Sequence, residues 1–346
     1  MFLYWAGEIS MNNILIIQTA FLGDVVLATG LIEKLQAYYP EAKLDFLVQK
    51  GNEALLKDHP KLRQVFIWNK KQNKYKNLWQ LLGQIRERKY DLVINLQRFG
   101  STGLLTALSG AKQTIGFDKN PFSRFFTRRY HHDVTSGQHE IARNHLLIAS
   151  FTDELPAKPC LYPAAADYSK VQPFKSQPFI CLAPTSVWFT KQYPAEKWVH
   201  LLDALPVGYT VYLLGSPQDK ELAEELKKAT KNKAVVNLCG QLSLLQSAAL
   251  MQDAQLNYVN DSGPMHLASA LNAPTCAVYC STVPSFGFGP LADFGRIVQK
   301  KESLYCRPCG LHGYQKCPEG HFKCAHDIQT RQLLHVLALS PPVSGK

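Results

Sequence analysis

The chain has 346 residues, of which 46% are hydrophobic and 19% are charged. That length accommodates two domains, and that composition excludes an intrinsically disordered chain. The formal net charge of +11 at pH 7 indicates an anionic partner, but nucleic acid, an anionic membrane surface and a phosphorylated substrate suit it equally.

The sequence is not expected to contain a membrane span or a secretion signal. No run approaches the roughly 18 apolar residues that a membrane-spanning helix needs. Residues 1–10 hold a short aromatic run without the basic start and cleavage site of a signal peptide, so we expect an extension outside the fold. The expected location is the cytoplasm, either in solution or peripherally at the inner face of the cytoplasmic membrane.

From residue 11 onwards, short apolar runs alternate with amphipathic helical stretches. This alternation is typical of a parallel sheet covered by helices on both faces. The strands predicted in the first half are 13–18, 43–49, 64–68, 91–96 and 113–117. The strands predicted in the second half are 178–184, 209–215, 233–240, 254–259 and 275–280.

The alternation breaks in the proline-rich stretch between the two halves, which is typical of a domain boundary. We predict an α/β protein of two Rossmann-like, doubly wound domains that face a central cleft. The predicted segments are an extension (1–10), a first domain (11–160), a linker (161–177), a second domain (178–330) and a C-terminal helix or tail (331–346).

Ligands of such sheets bind beyond the carboxyl ends of the strands, so the loops there are the candidate sites. The first loop, "QTAFLGDVVLATG" (18–30), places Gly23 and Asp24 at a helix start. It matches neither nucleotide-binding signature, GxGxxG or Walker A. Asp24 is either a carboxylate that stabilises the helix start or a general base facing a cleft.

The second loop, "APTSVWFTKQYPAEKW" (183–198), combines hydroxyl groups with one cation. Such groups suit phosphate oxygens, with lysine acting as a point charge. An ordinary surface loop is the alternative. The candidate phosphate ligands are Thr185, Ser186, Thr190 and Lys191.

Two more loops of the second domain follow predicted strands. In the third, Gly215 belongs to a turn that helix capping explains fully. The fourth, "NDSGPMHLASALNAP" (260–274), joins a turn to a helix N-terminus, which is a ready anion site. In the alternative interpretation, Gly263 supplies an unusual backbone angle and His266 packs in the core. The candidate anion ligands are Asp261, Ser262, Gly263 and His266.

Nine cysteines fall into two groups. Five lie among apolar residues and are expected to be buried thiols: Cys160, Cys181, Cys239, Cys276 and Cys280. Four follow the spacing C-x2-C-x7-C-x6-C near the C-terminus: Cys306, Cys309, Cys317 and Cys324. A structural zinc site, a disulfide-linked loop and free thiols are all consistent with this spacing.

Basic residues cluster in the first domain, at 70–76, at Arg98, at Lys112 and at 124–133. A solvated surface is the ordinary explanation for such a cluster. Aromatic residues beside the arginines suggest nucleic acid, but no nucleic-acid-binding signature accompanies them. An anionic acceptor at a membrane surface explains the cluster as well.

Taken together, three loops carry a family resemblance. They are the Leu-Gly-Asp loop (22–24), the Thr-Lys-x-x-Pro loop (190–194) and the Asp-Ser-Gly-Pro-Met-His segment (261–266). In this order and spacing, and over nearly the whole chain, the sequence resembles glycosyltransferase family 9, the lipopolysaccharide heptosyltransferases and their relatives. The resemblance implies a GT-B fold with an acceptor-binding first domain and a donor-binding second domain. It also implies inverting transfer from ADP-heptose without a metal cofactor.

The resemblance assigns roles to residues of this chain. Asp24 matches the base, Lys191 and its neighbouring hydroxyls match the contacts to the donor diphosphate, and 261–266 matches the donor-binding turn. Gly215 is also assigned to the donor-binding residues. The expected partners are an ADP-heptose-like donor and an anionic glycolipid at the membrane surface, with no nucleic acid. The candidate acceptor-binding residues are Gly23, Arg98, Arg124 and Arg128.

One departure from the family puts the sugar in doubt, because Val187-Trp188-Phe189 stands where the family commonly carries Arg or Gly. Two alternatives therefore stay open. One is a GT-B transferase or epimerase that uses a different nucleotide sugar. The other is a non-catalytic basic binding protein.

Overall fold

The computed structural model describes residues 11–342, so the predicted extension over 1–10 lies outside the described residues. The chain forms two compact units. The first takes the residues up to 133 together with 141–159, and the second takes 134–140 together with the residues from 160 onwards. The chain therefore passes from one unit to the other three times.

The first unit is built on a six-stranded parallel sheet in the order β3-β2-β1-β4-β5-β6. Its strands are β1 (Asn13–Ile17), β2 (Lys43–Gln49), β3 (Leu62–Trp68), β4 (Leu92–Asn95), β5 (Gln113–Phe117) and β6 (Arg128–Tyr130). The α-helices up to residue 145 are α1 (Leu22–Tyr38), α2 (Lys74–Glu87), α3 (Gly100–Ala107) and α4 (Glu140–His145). Strands β1 and β4 are apolar throughout except Asn13 and Asn95, because both faces of a parallel sheet are buried.

The spacing of apolar residues in helix α2 determines which of its faces is buried. Leu78, Leu81, Leu82 and Ile85 recur at helical spacing and pack into the core beneath Trp68. Burying each such side chain contributes roughly 2 kcal/mol. The opposite face of the helix stays in contact with solvent.

Gly30 lies in the middle of α1, where the helix comes very close to the segment before residue 160. A β-carbon at this position would lie 2.6 Å from the carbonyl oxygen of Ala157. Only glycine permits this approach, and that requirement offsets its low helix propensity.

The second unit repeats the same strand order on a second six-stranded parallel sheet, β12-β11-β10-β7-β8-β9. Its strands are β7 (Phe179–Ala183), β8 (Thr210–Leu213), β9 (Val235–Asn237), β10 (Leu256–Asn260), β11 (Thr275–Tyr279) and β12 (Gly295–Gln299). Its α-helices are α5 (Ala165–Val171), α6 (Ala195–Ala204), α7 (Lys220–Ala229), α8 (Leu244–Gln252), α9 (Gly263–Ala270), α10 (Lys323–His326) and α11 (Thr330–Leu339).

The predicted architecture of two doubly wound parallel sheets is confirmed. Two strands were not predicted, the edge strands β6 and β12, because both expose arginine instead of showing an apolar run. The stretch 161–177, predicted as a linker, contains helix α5, whose Tyr168 Oη donates to Gln252 Oε1 of α8 at 2.8 Å. Within residues 11–342, no helix is both long enough and apolar enough to cross a membrane.

Candidate active site at the strand ends

Each sheet has one point where the strand order reverses. The chain builds outwards from β1 through β2 to β3 and then returns to β4 on the other side, and β7 and β10 stand in the same relation. Ligands of open parallel sheets bind at such switch points, beyond the carboxyl ends of the strands. The loops after β1, β7 and β10, which carry most of the predicted site residues, all lie at switch points.

Asn260, the last residue of β10, fixes the loop that follows β7. Its Nδ2 donates to the carbonyl oxygen of Pro184 at 2.7 Å, and its Oδ1 accepts from the backbone N–H of Tyr193 at 2.9 Å. The side chain is fully buried. One amide therefore holds both ends of the loop, including Thr185 and Lys191. Sequence analysis missed this residue, although a polar side chain ending an apolar strand was a usable signal.

Lys191 and Asp261 form a buried ion pair. Lys191 Nζ lies 2.7 Å from Asp261 Oδ2, and the hydroxyl of Thr282 donates to the same oxygen at 2.6 Å. The side chains of Lys191 and Asp261 are only 15% and 7% exposed. An ammonium has three N–H donors, so a lysine held by one carboxylate can still offer hydrogen bonds to an anionic ligand. Lys191 and Asp261, which the sequence analysis proposed as ligands on separate loops, are therefore in direct contact.

Thr190, by contrast, is fully buried and turned into the protein. Its Oγ1 accepts hydrogen bonds from the hydroxyl of Ser281 at 3.0 Å and from the backbone N–H of Tyr314 at 2.8 Å. Thr185 and Ser186 remain partly exposed. Thr190 therefore joins three loops together, while the other two hydroxyls are accessible to a ligand.

Helix α9 begins directly after β10, with Ser262 at its N-cap and Gly263 and Pro264 in its first turn. The interpretation that Gly263 supplies an unusual backbone angle is wrong, because its φ is not positive and it simply starts the helix. The first N–H groups of a helix lack intrahelical acceptors, so this end attracts anions.

His266 lies on the next turn of α9 and is 5% exposed. Within the described part of the chain its Nδ1 has no hydrogen-bond partner. Burial lowers the pKa of His266 to about 4, against the opposing effect of the Asp261 carboxylate. The ring is therefore neutral at pH 7, and it is buried in the core without being fully satisfied there.

The turn after β8 shows the helix capping that the sequence suggested. Asp219 Oδ2 accepts from the backbone N–H of Ser216 at 2.7 Å and from its hydroxyl at 2.6 Å. Gly215 permits a close approach, because a β-carbon there would lie 2.9 Å from Asp219 Cβ. These contacts explain the turn as a helix cap, and the donor-binding role of Gly215 stays a prediction.

In the first unit, Asp24 is the third residue of α1. Its Oδ2 accepts the backbone N–H of Phe21 at 3.2 Å, and both Asp24 and Gly23 are partly exposed. The carboxylate therefore stabilises the helix start. Its partial exposure also leaves it accessible to an acceptor hydroxyl, which a general base requires.

Polar side chains tie the strand-end loops of the first unit to one another. Lys70 Nζ donates to the carbonyl oxygen of Thr19 at 2.6 Å, and Gln97 contacts Gln18 side chain to side chain. Asn120 Nδ2 donates to the carbonyl oxygen of Gln97 at 2.8 Å. These bonds connect the loops after β1, β3, β4 and β5 into one surface.

The three candidate acceptor-binding arginines do not all share that surface. Arg98 and Arg124 are exposed on the loops after β4 and β5, each stacked on the phenylalanine that follows it. Arg128 lies on edge strand β6, where it donates to Ser150 Oγ at 3.0 Å.

The four C-terminal cysteines and His321 line one cavity of about 180 Å³, which Thr190 and Ser281 border. Burial raises the pKa of the Cys324 thiol to about 12. Among the residues that the structure describes, no group of three or more His, Cys, Asp or Glu side chains is placed to hold a metal ion. The arrangement does not fit a metal centre. Of the five cysteines predicted to be buried, four are buried, and Cys160 differs from the prediction because it is only half-buried.

Comparisons with known proteins point to one family. A model of glycosyltransferase family 9 (heptosyltransferase) matches residues 78–312. Lipopolysaccharide heptosyltransferase 3 of Escherichia coli is 28% identical over 76% of this chain and 82% of its own. Lipopolysaccharide heptosyltransferase 1 of Pseudomonas aeruginosa is 27% identical over 95% of each chain.

Solved structures share the fold. The ADP-heptose lipopolysaccharide heptosyltransferase II of E. coli superposes with a TM-score of 0.79 at 23% identity, covering 94% of this chain and 98% of that chain. A family 9 glycosyltransferase from Veillonella parvula superposes with a TM-score of 0.82 at 22% identity, covering 95% and 98% of the two chains.

Proposed function

The chain belongs to glycosyltransferase family 9 and has the GT-B fold, and we propose that it transfers a heptose or related sugar from an ADP-sugar donor to an envelope glycolipid. The acceptor that we propose is the lipopolysaccharide core, because the relatives with the matches described above are named lipopolysaccharide heptosyltransferases. The observation that carries the proposal is the buried Lys191–Asp261 pair beside the start of α9.

The donor diphosphate would bind at the switch point of the second sheet. Backbone N–H groups at the start of α9 and the ammonium of Lys191 supply positive charge there, and Thr185 and Ser186 add hydroxyl groups. Asp261 holds Lys191 in place before the donor arrives, so little reorganisation is needed when charge develops on the departing phosphate.

The proposed chemistry is a single displacement. The acceptor hydroxyl attacks the anomeric carbon and gives its proton to the carboxylate of Asp24. The bond between that carbon and the phosphate oxygen breaks, and the electron pair stays on the departing nucleoside diphosphate. Attack from the opposite face inverts the anomeric centre. General-base assistance of this kind typically contributes about 10²- to 10⁴-fold to the rate.

We propose that no metal takes part in the chemistry, since Lys191 and α9 supply the charge that the leaving group needs. Structural zinc at the C-terminal cysteines stays a prediction that the arrangement of the thiols does not favour. Elemental analysis of the purified protein decides it, and one zinc ion per chain would show that the four thiols can close around an ion.

The acceptor side would be the first unit. Arg98 and Arg124 are exposed at its strand ends and suit the phosphate groups of an anionic glycolipid. With the net charge of +11, they favour an enzyme that works peripherally at the inner face of the cytoplasmic membrane and does not use nucleic acid.

A thermal-shift titration tests the donor directly. The ligands are ADP, ADP-heptose, and UDP-, GDP- and dTDP-sugars. A ligand at 100 times its dissociation constant adds about 2.7 kcal/mol of stability, and we expect that response for ADP and ADP-heptose alone. A response to another nucleotide would favour the second candidate, a GT-B enzyme with a different donor. The unusual Val187-Trp188-Phe189 segment is the observation that supports this candidate. Silence toward every nucleotide would contradict both.

A further inference from the structure

An exposed group of lysines and aromatic rings lies at the start of α2. We call it the α2 strip and define it as Lys71, Lys74, Tyr75, Lys76 and Trp79, all of which are exposed. Tyr75 and Trp79 are 70% and 57% exposed, and at a spacing of four residues they lie on one face of the helix. The leucines of α2 point to the core on the other side, so the packing of the helix does not account for these two rings.

The α2 strip belongs to a long segment of one charge sign. Residues 59–86 contain seven lysines and arginines and no Asp or Glu. Lys74 Nζ lies 5.5 Å from the ring centroid of Tyr75, so cation and ring are close together. The strip also covers the positive end of the α2 dipole. Its chemistry is that of a cationic surface with apolar rings standing out of it.

The same chemistry continues on the neighbouring helix. Helices α2 and α3 pack side by side in one core and both start at the carboxyl edge of the sheet. Directly before α3, Phe99 is 52% exposed and carries the guanidinium of Arg98 at 5.4 Å from its ring centroid. The surface is therefore wider than one helix turn.

We propose that the α2 strip is the surface by which this protein docks on an anionic lipid bilayer. Tyrosine and tryptophan settle at the headgroup level, because one end of each ring is apolar and the other polar. Lysines near an anionic membrane surface each strengthen binding by about fivefold. The proposal rests on the proposed function in one respect, that the acceptor is a lipid-linked molecule which the enzyme must meet at a membrane.

Vesicle co-sedimentation of the full chain tests the proposal. The vesicles are phosphatidylcholine alone or phosphatidylcholine mixed with phosphatidylglycerol, without glycolipid or nucleotide. We expect binding to the mixed vesicles only. The variant K71Q/K74Q/K76Q should bind at least about tenfold more weakly. The matched control K227Q/K228Q/K233Q removes three exposed lysines of the second unit and should bind within about twofold of the parent.

Trp79 also reports on its own position. Brominated phosphatidylcholine in the mixed vesicles should quench part of the tryptophan emission of the parent protein. In the variant W79F binding should persist while that quenching falls, because Trp79 is 57% exposed, Trp188 is only partly exposed, and Trp68 and Trp198 are buried. Equal quenching in parent and W79F would overturn the placement of Trp79 at the membrane.

Three further outcomes would overturn the proposal. They are equal loss of binding in both triple-lysine variants, no binding by the parent, and tighter binding to an arbitrary oligonucleotide than to the vesicles at physiological salt. Unfolding curves of each variant exclude misfolding as the cause of a loss. Vesicle binding without any nucleotide response would leave the docking surface standing and remove the proposed donor, and the opposite pattern would do the reverse.

Discussion

The two units share one strand order, and in both a buried side-chain amide ties strand-end loops together, yet their strand ends expose different groups. In the second unit the loops at the switch point are held by buried groups, the Asn260 amide and the Lys191–Asp261 pair. In the first unit the strand ends expose aromatic rings and cations, of which Phe21, Phe99 and Arg98 are examples. A small anionic ligand gains affinity from preorganised donors, whereas a large amphiphilic one needs accessible apolar surface with cations around it.

The largest expected effect comes from the base in the first unit. D24A should lower kcat by about 10²-fold or more while donor affinity stays unchanged, because the carboxylate acts only on the acceptor proton. Steady-state kinetics and a donor titration measure the two quantities. The matched control is D167A, since Asp167 likewise accepts a backbone N–H at a helix start, that of Ala164 at 3.0 Å. Equal kinetic losses in both variants would reduce Asp24 to a capping residue.

The next effect belongs to the second unit. K191M should weaken donor binding by about tenfold or more and leave Asp261 as an unpaired buried carboxylate, which costs about 3–5 kcal/mol of stability. The double variant K191M/D261N should recover most of that stability without recovering donor affinity. Calorimetry and chemical denaturation separate the two effects. Full donor affinity in the double variant would show that Lys191 is a structural residue only.

The two amides that tie loops together provide a matched comparison between the units. N260A should cost about 1–3 kcal/mol of unfolding free energy, because it strands the N–H of Tyr193 and the carbonyl of Pro184, and it should also weaken donor binding. N120A should cost a similar amount of stability with donor affinity unchanged, since Asn120 ties loops of the first unit. The comparison fails if both variants change donor affinity alike.

The smallest expected effect is on the pH dependence of the unfolding free energy, to which one buried histidine of each unit contributes. Burial lowers the pKa of both His59 and His266 to about 4. Between pH 4 and the unfolded value of about 6.5 the unfolded chain binds more protons, so stability is complete above 6.5 and is lost as the pH falls toward 4. H59N and H266N should each reduce the slope of unfolding free energy by about 1 kcal/mol per pH unit in that window. Unfolding at several pH values checks this, and an unchanged slope would contradict the buried neutral state.

Most of the fold could be predicted from the sequence, because a strand buried on both faces must be an apolar run. The strands β2 and β5 have the predicted bounds. The short edge strands β6 and β12 were not predicted, because their arginines face solvent. Helix α5 was not predicted for a different reason. Its seven residues lie among prolines, and it is stabilised by packing against α8, not by its own periodicity.

The site was predictable loop by loop but not as an arrangement. The rule that ligands bind beyond strand ends identified the loops of Lys191 and Asp261. That their side chains meet depends on the parallel register of β7 and β10, which neither strand specifies alone. For the same reason sequence reasoning treated Thr190 as a ligand, whereas the contacts from Ser281 and Tyr314 turn its hydroxyl into the protein. Asn260 went unnoticed because its partners are backbone groups of another loop.

The chain passes between the units three times, and this affects any attempt to separate them. A single cut after residue 159 would leave residues 134–140 of the second unit on the first fragment. Those residues have partners of their own unit: the backbone N–H of Glu140 donates to the carbonyl of Gly287 at 2.7 Å, and His139 Nε2 lies 3.0 Å from the carbonyl oxygen of Gly289. The second unit would therefore be complete only when the first fragment supplies residues 134–140 to the second fragment. Complementation between two co-expressed fragments should accordingly depend on 134–140.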